Sequence, residues 1–304
     1  MKQEESVTPT QESPQTSRLA RLFNDYFDQE FQAAESVGGI GFMARALVLA
    51  TLPHSRPKES TFLRENGRFS LAIMAHPRAG LPYGSIPRLL LCWVTTETVR
   101  TKSRTLVLGD SLSEFMRKLD LLPTGGRWGT ISRLKAQMER LFSCTISCRY
   151  SDGEAIGLRN VTPVSEAWLW WDPKRPEQAT LWESYVVLSE EFAREAQDRP
   201  VPYAMTALKV LRQSPLALDI YLWTTYRNSY ATKPTRIPWE ALQMQFGAGY
   251  PATPAGKRDF KQHFLRALRR VGVVYSDARK LHPEEGVLVF SPGKPHIAKL
   301  RAIG

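Results

Sequence analysis

The chain repeats itself. At an offset of 130 residues Trp93 meets Trp223, Thr95 meets Thr225, Thr105 meets Thr235 and Leu112 meets Leu242. Apolar character is kept at Leu90/Ile220, Val107/Ile237, Leu134/Phe264, Met138/Leu268 and Leu141/Val271. A duplicated pattern restricts the fold to two copies of one unit, and 304 residues suffice for about two ordinary domains.

Both copies order their signals alike. An apolar helix comes first (Ser85 to Val99, Leu216 to Tyr230), followed by a short strand (Thr105 to Leu108, Thr235 to Pro238). A second helix follows in each. In the first copy Ser111 and Glu114 form a capping box. In the second, Pro238 suits the first turn and Gly247 the end. A Gly/Pro-rich turn leads to the third helix, Trp128 to Phe142 or Lys257 to Val271. Strands close each copy: Cys144 to Tyr150, Val164 to Trp171 and Trp182 to Leu188, against Val273 to Ser276 and Val287 to Phe290. This is the order of a winged helix. The expected fold is α+β, with two tandem winged-helix domains over 81–198 and 199–304.

Residues 18–80 read as an N-terminal extension packing on the first domain. Leu19, Leu22, Phe23, Tyr26, Phe27 and Phe31 recur at helical spacing, and Ile40 to Leu52 reads as a second helix. A hairpin turning at Asn66-Gly67 comes next. Residues 1–17, rich in Ser, Thr, Gln, Glu and Pro, are expected to be disordered.

Charge points to a partner. Lys and Arg number 41 against 30 Asp and Glu, a net +11, which suits a polyanion. The third helices carry much of this excess. Phe260, Phe264, Leu268 and Val271 line one face of the second, while Lys257, Arg258, Lys261, Arg266, Arg269 and Arg270 occupy the others. In the first, Ile131, Leu134, Met138 and Leu141 make the buried stripe, and Arg127, Arg133, Lys135 and Arg140 supply charge. A helix buried on one side and cationic on the other fits the DNA major groove, its first half facing the bases. The expected DNA contacts are Arg127, Ser132, Arg133, Lys135, Arg140, Lys257, Arg258, Lys261, Gln262, Arg266 and Arg270. Arg279 and Lys280, read as lying in the second hairpin, are expected to touch phosphates as a wing would. The competing reading of any single helix is a solvated basic face.

Other chemistries find little support. Cys92, Cys144 and Cys148 are too few and poorly spaced for a disulfide framework or a four-ligand zinc site. The longest apolar stretch carries Arg45, too short and too polar for a membrane span. The N-terminus lacks a secretory pattern, so a cytoplasmic protein is expected. Gly256-Lys257 is followed by Arg258 rather than a hydroxyl residue, so no phosphate loop is present. His54, His76, His263, His282 and His296 show no paired metal spacing, and no serine sits in a nucleophile elbow. No cofactor, metal or catalysis is expected. Trp93 and Trp223 read as core.

The stretch from Gly80 to Ser147 resembles the plasmid-encoded RepA-type replication initiators. It carries Gly-Leu-Pro-Tyr-Gly-Ser-Ile-Pro-Arg-Leu-Leu-Leu (80–91), Thr98-Val-Arg-Thr-Lys-Ser-Arg104, Leu108-Gly-Asp-Ser-Leu-Ser-Glu-Phe115 and Thr124-Gly-Gly-Arg-Trp-Gly-Thr-Ile-Ser-Arg-Leu134. The resemblance implies binding to direct repeats (iterons) in double-stranded plasmid origin DNA, help in opening the origin, and recruitment of the host initiator and replicative helicase. It also implies a switch between DNA-binding monomers and self-repressing homodimers. Three alternatives stay open: a tandem winged-helix transcriptional repressor, an origin-nicking or primase-like enzyme using Tyr83, Tyr203 or Tyr250, and a scaffold binding partners through its aromatic strands.

Overall fold

The computed structural model describes residues 40–297, apart from 50, 152–155, 173, 181–182, 199 and 248. The tail at 1–17 and the helical spacing at 19–31 lie outside the described residues.

The described chain opens with strand β1 (Ile40–Met43) and the short helix α1 (Arg45–Leu49), then the hairpin β2 (Thr61–Asn66) and β3 (Phe69–Met74). The helix expected over 40–52 is thus half strand. All four residues of β1 are buried, and a continuous apolar run reads equally well as helix or as strand buried on both faces. Its partner is the antiparallel strand at 201–204, and Phe42 N–H donates to Thr96 Oγ1 at 2.8 Å. A Cβ on Gly41 would lie 2.2 Å from the Tyr203 ring, so glycine makes the room that this ring needs against the strand.

The first repeat follows as α2 (Ser85–Thr101), β4 (Thr105–Gly109), α3 (Leu112–Lys118), α4 (Thr130–Ser143), β5 (Thr145–Ser151), β6 (Ile156–Val161), β7 (Val164–Trp168), β8 (Ser184–Leu188) and α5 (Glu190–Asp198). The second comprises β9 (Val201–Ala204), α6 (Met205–Leu211), α7 (Pro215–Asn228), β10 (Thr235–Pro238), α8 (Trp239–Phe246), α9 (Pro254–Val274), a 3₁₀ turn (Ser276–Lys280), β11 (Leu281–Pro283) and β12 (Val287–Phe290). Two antiparallel sheets have the same strand order, β4-β8-β7 and β10-β12-β11, with the first strand beside the last. The repeat seen in the residues is therefore a repeat of topology. The first copy differs by an insertion: β5 and β6 join the early hairpin in a four-stranded sheet, β2-β3-β5-β6.

Local chemistry explains the remaining departures. Strand β6 was unforeseen because it is an edge strand, exposed everywhere but Val161, with no alternation to read. The strand expected at 273–276 is instead the last turn of α9, whose buried stripe runs on through Val271 to Tyr275. Before α3, Ser111 Oγ accepts from Glu114 N–H, but the Glu114 carboxylate reaches back to Asp110 N–H rather than to Ser111. Pro238 sits one place before α8, as its cap.

One core joins both copies. Helices α2 and α7 are buried around most of their circumference, and they meet through a charge pair. Arg88 on α2 is 2% exposed and Asp219 on α7 is 5% exposed. Arg88 Nε and Nη2 donate to the two Asp219 oxygens at 2.7 Å each. Nη1 donates to Pro53 O and Gly84 O, and Nη2 also to Leu52 O, so all five guanidinium N–H groups are used. His54 Nε2 adds a third contact to Asp219 at 2.7 Å. Around this joint lie aromatic edges: Trp93 on Phe115 in the first copy, and Trp223 on Phe246 and Phe290 in the second.

Removing one member of a satisfied buried pair strands the other. Asp219→Asn should lower stability in urea unfolding by about 3–5 kcal/mol, and Arg88→Met with Asp219→Leu by much less. Equal losses in the single and double variants would show that the charge pair does not make the joint.

A second expectation concerns pH. Burial pushes the His54 imidazole down to about 4, with the Arg88 and Arg64 guanidiniums acting in the same direction and Asp219 against them. The ring is neutral when folded, whereas the unfolded chain binds its proton below about pH 6.5. Stability should therefore fall as pH drops from about 6.5 to about 4, by on the order of 2–3 kcal/mol from this group. Unfolding midpoints of His54→Gln should show a shallower pH dependence over that window; an identical profile would assign the effect elsewhere.

Candidate nucleic-acid interface

Helix α9 begins where its residues dictate. Thr253 Oγ1 accepts from Gly256 N–H at 3.2 Å, and Pro254 takes the first turn, where no N–H is needed. A Cβ on Gly256 would lie 2.2 Å from Pro251 O, so the preceding loop folds onto the helix start only because glycine is there. Phe260, Phe264, Ala267, Leu268 and Val271 bury the inner face. Arg258, Gln262, Arg266 and Arg269 recur at helical spacing on the exposed outer face, with Arg270 beside them. Guanidinium and amide groups in such a row match base edges and phosphates.

Two expected contacts on this helix are engaged within the protein. Lys257 Nζ pairs with Glu240 at 3.0 Å, and the half-buried Lys261 ammonium lies 5.1 Å above the Trp239 ring. Tyr250 Oη and His263 Nδ1 share a hydrogen bond at 2.8 Å beside the stripe.

Helix α4 is set by a similar device. Gly129 caps it, and a Cβ there would meet Thr124 O at 2.1 Å. Thr124 and Thr130 exchange backbone-to-hydroxyl bonds of 2.9 Å across the turn. The helix therefore starts two residues later than expected, leaving Arg127 and Trp128 ahead of it. Trp128 is 80% exposed, with the Arg127 guanidinium 5.2 Å above its ring. Ser132, Arg133 and Lys135 face solvent, although Ser132 Oγ donates to Gly126 O. Arg140 is drawn aside, its guanidinium 5.0 Å over the Tyr83 ring. Gln137 is buried and accepts from Tyr83 N–H.

The hairpins depart from expectation. Arg279 and Lys280 lie in the 3₁₀ turn before β11, not at the hairpin tip. Arg279 Nε donates to Gly272 O at 2.7 Å, and Lys280 pairs with Asp277 at 2.5 Å. The tip itself is Glu284-Glu285-Gly286, where Glu284 meets Arg236 at 2.5 Å, so it offers phosphate no cation of its own. In the first copy the connection from β7 to β8 exposes Lys174 and Arg175. These were missed, although Pro173-Lys-Arg-Pro176 carries the signal of a basic pair held in a rigid loop. Beside them Trp168 and Trp170 stack at 5.4 Å, and Glu166 accepts from both Trp168 Nε1 and Tyr185 Oη.

Tyr203 is buried. Among the described residues no group of three or more His, Cys, Asp or Glu could hold a metal ion, and no helix is long and apolar enough to cross a membrane.

A profile described as plasmid encoded RepA protein matches residues 81–240. No curated protein matches the chain. Among solved structures, a selenomethionine derivative of domain 2 and domain 3 of RctB is similar, at 11% identity and a TM-score of 0.50, over 80% of this chain and 95% of that one. A second structure of RctB domains 2-3 gives 12% identity and a TM-score of 0.49 over 80% and 94%. At such identity the likeness concerns the mixed α+β fold alone. The profile spans more than half of the sequence, from just before α2 into α8, and the chain belongs to the plasmid-encoded RepA family, the replication initiators that it resembles.

Proposed function

We propose that the protein initiates plasmid replication in the cytoplasm by binding direct repeats in double-stranded origin DNA, with no catalysis of its own. Each repeat then acts as a winged helix, with α4 and α9 as the reading helices. The observation that carries this is the outer stripe of α9, where Arg258, Gln262, Arg266 and Arg269 share one exposed face. Arg127, Trp128, Arg133 and Lys135 form the lesser contact of the first copy, and Lys174 and Arg175 serve as its phosphate-touching wing. Binding of this kind would help open the origin and bring the host initiator and replicative helicase to it.

The test is titration of the full chain against repeats flanking its gene and against scrambled DNA, over a range of salt. Preference for the repeats of roughly a thousandfold is expected, with a log–log salt slope of about −0.9 per phosphate contact. Equal weak binding to both would sink the proposal.

The side-chain geometry also ranks the variants. Arg258→Ala or Gln262→Ala should cost about 1–3 kcal/mol on the repeats and relax preference at one base position. Lys257→Ala and Lys261→Ala should cost less, because Glu240 and Trp239 already hold those groups. The opposite order would move the base-reading face toward the α8 side of the helix.

A further inference from the structure

A cavity of about 320 Å³ lies against the four-stranded sheet, where the early hairpin, the first repeat and α7 of the second come together. The sheet supplies its floor. Register places Leu71 of β3, Cys148 of β5 and Arg159 of β6 in one cross-strand row, with Ile146 and Val161 paired in the next. Residues directly opposite one another in a ladder share a face. This face therefore passes from apolar groups on the inner strands, over a thiol, to a guanidinium on the edge strand. Helices form the walls, through Leu47 of α1, Phe192 of α5 and Tyr226 of α7.

Charge decides what the cavity would take. Arg159 meets Glu195 of α5 at 3.4 Å, so that pair is already neutral. Arg45, at the start of α1, lines the same cavity and is half-buried. It has neither an ion pair nor a hydrogen bond among the described residues. The lining thus carries two guanidiniums against one carboxylate, an excess of one positive charge. Apolar walls with a few charged groups, in a volume at the lower end of the ~300–1,000 Å³ of ligand clefts, are the features of a small-molecule site. An anionic head group would give Arg45 the charge-assisted hydrogen bonds that it lacks.

We propose that this cavity binds a small amphiphilic anion of the medium-chain carboxylate class, with its hydrocarbon body on Leu71, Ile146 and Phe192 and its head group at Arg45. Such a ligand touches the sheet of the first copy and α7 of the second together. The proposal goes beyond DNA binding and does not depend on it.

Cys148 provides the reporter for a test on the full chain. Of the three cysteines, Cys92 and Cys144 are buried, and Cys148 alone is partly exposed. Burial pushes the Cys148 thiol up to about 11, so its alkylation by N-ethylmaleimide is slow and is followed at mildly alkaline pH. Octanoate should protect Cys148 saturably, and about tenfold more tightly than octanol. Affinity should rise about three- to fourfold with each methylene added from butanoate to octanoate. Arg45→Met should abolish the preference for octanoate while octanol protects as before, and Arg45→Lys should keep it. Glu195→Gln, which frees Arg159, should tighten octanoate further. Equal protection by octanol and octanoate, stronger protection by octylammonium, or a preference unchanged in Arg45→Met would overturn the anion assignment. An alkylation rate that octanoate leaves unchanged would overturn the site itself.

Discussion

The ion pair between Arg88 and Asp219 sits where the two repeats touch, and both basic helices pack on the two helices that it joins. Burying a guanidinium and a carboxylate costs several kcal/mol each unless geometry and further hydrogen bonds offset the loss of water. Here both conditions hold: the contact is bidentate, and the remaining donors go to the carbonyls of Leu52, Pro53 and Gly84. The joint thus fixes more than two helices. It also gathers the loop between α1 and β2 through His54, and so connects the early hairpin to the core. Helix α4 packs on α2 and α9 packs on α7, so the two basic helices rest on the two sides of this joint, within the one core that both copies share.

The basic helices are not equal. Helix α9 is half as long again as α4 and presents a row of guanidiniums around one amide, while α4 shows Arg133 and Lys135 and loses Arg140 to Tyr83. The hairpins reverse this ranking. The second ends in glutamates that repel phosphate, whereas the first exposes Lys174 and Arg175. Each copy thus combines unlike parts: a strongly basic helix with an acidic hairpin tip in the second, and a less basic helix with a basic β7–β8 connection in the first.

Much of this was legible in the residues, because periodicity and repeat spacing are local properties. The duplicated helix, strand, helix, helix order came through intact, as did the apolar stripes of α4 and α9. What escaped was what tertiary contact decides. Strand β1 is a buried run whose partner lies some 160 residues away in the sequence. Strand β6 has no buried face to announce it. The site suffered likewise: a Lys on an exposed helix looks free until Glu240 or Trp239 is placed beside it. Arg279 looked like a wing residue only because the end of α9 was taken for a strand. The pair Arg88–Asp219 left no signal at all, since a charged residue in an apolar helix reveals nothing about its partner.

That pair has one more consequence. Arg88 and Asp219 occupy nearly corresponding places in the duplicated pattern, yet they bear opposite signs. If two chains met through their first repeats by the same helix face, two guanidiniums would be buried together; through their second repeats, two carboxylates. Either homotypic union would bury like charges at this face, whereas the union of unlike siblings pairs them. The two halves of the duplicated pattern are thus not interchangeable at this joint: each presents the charge that the other neutralises.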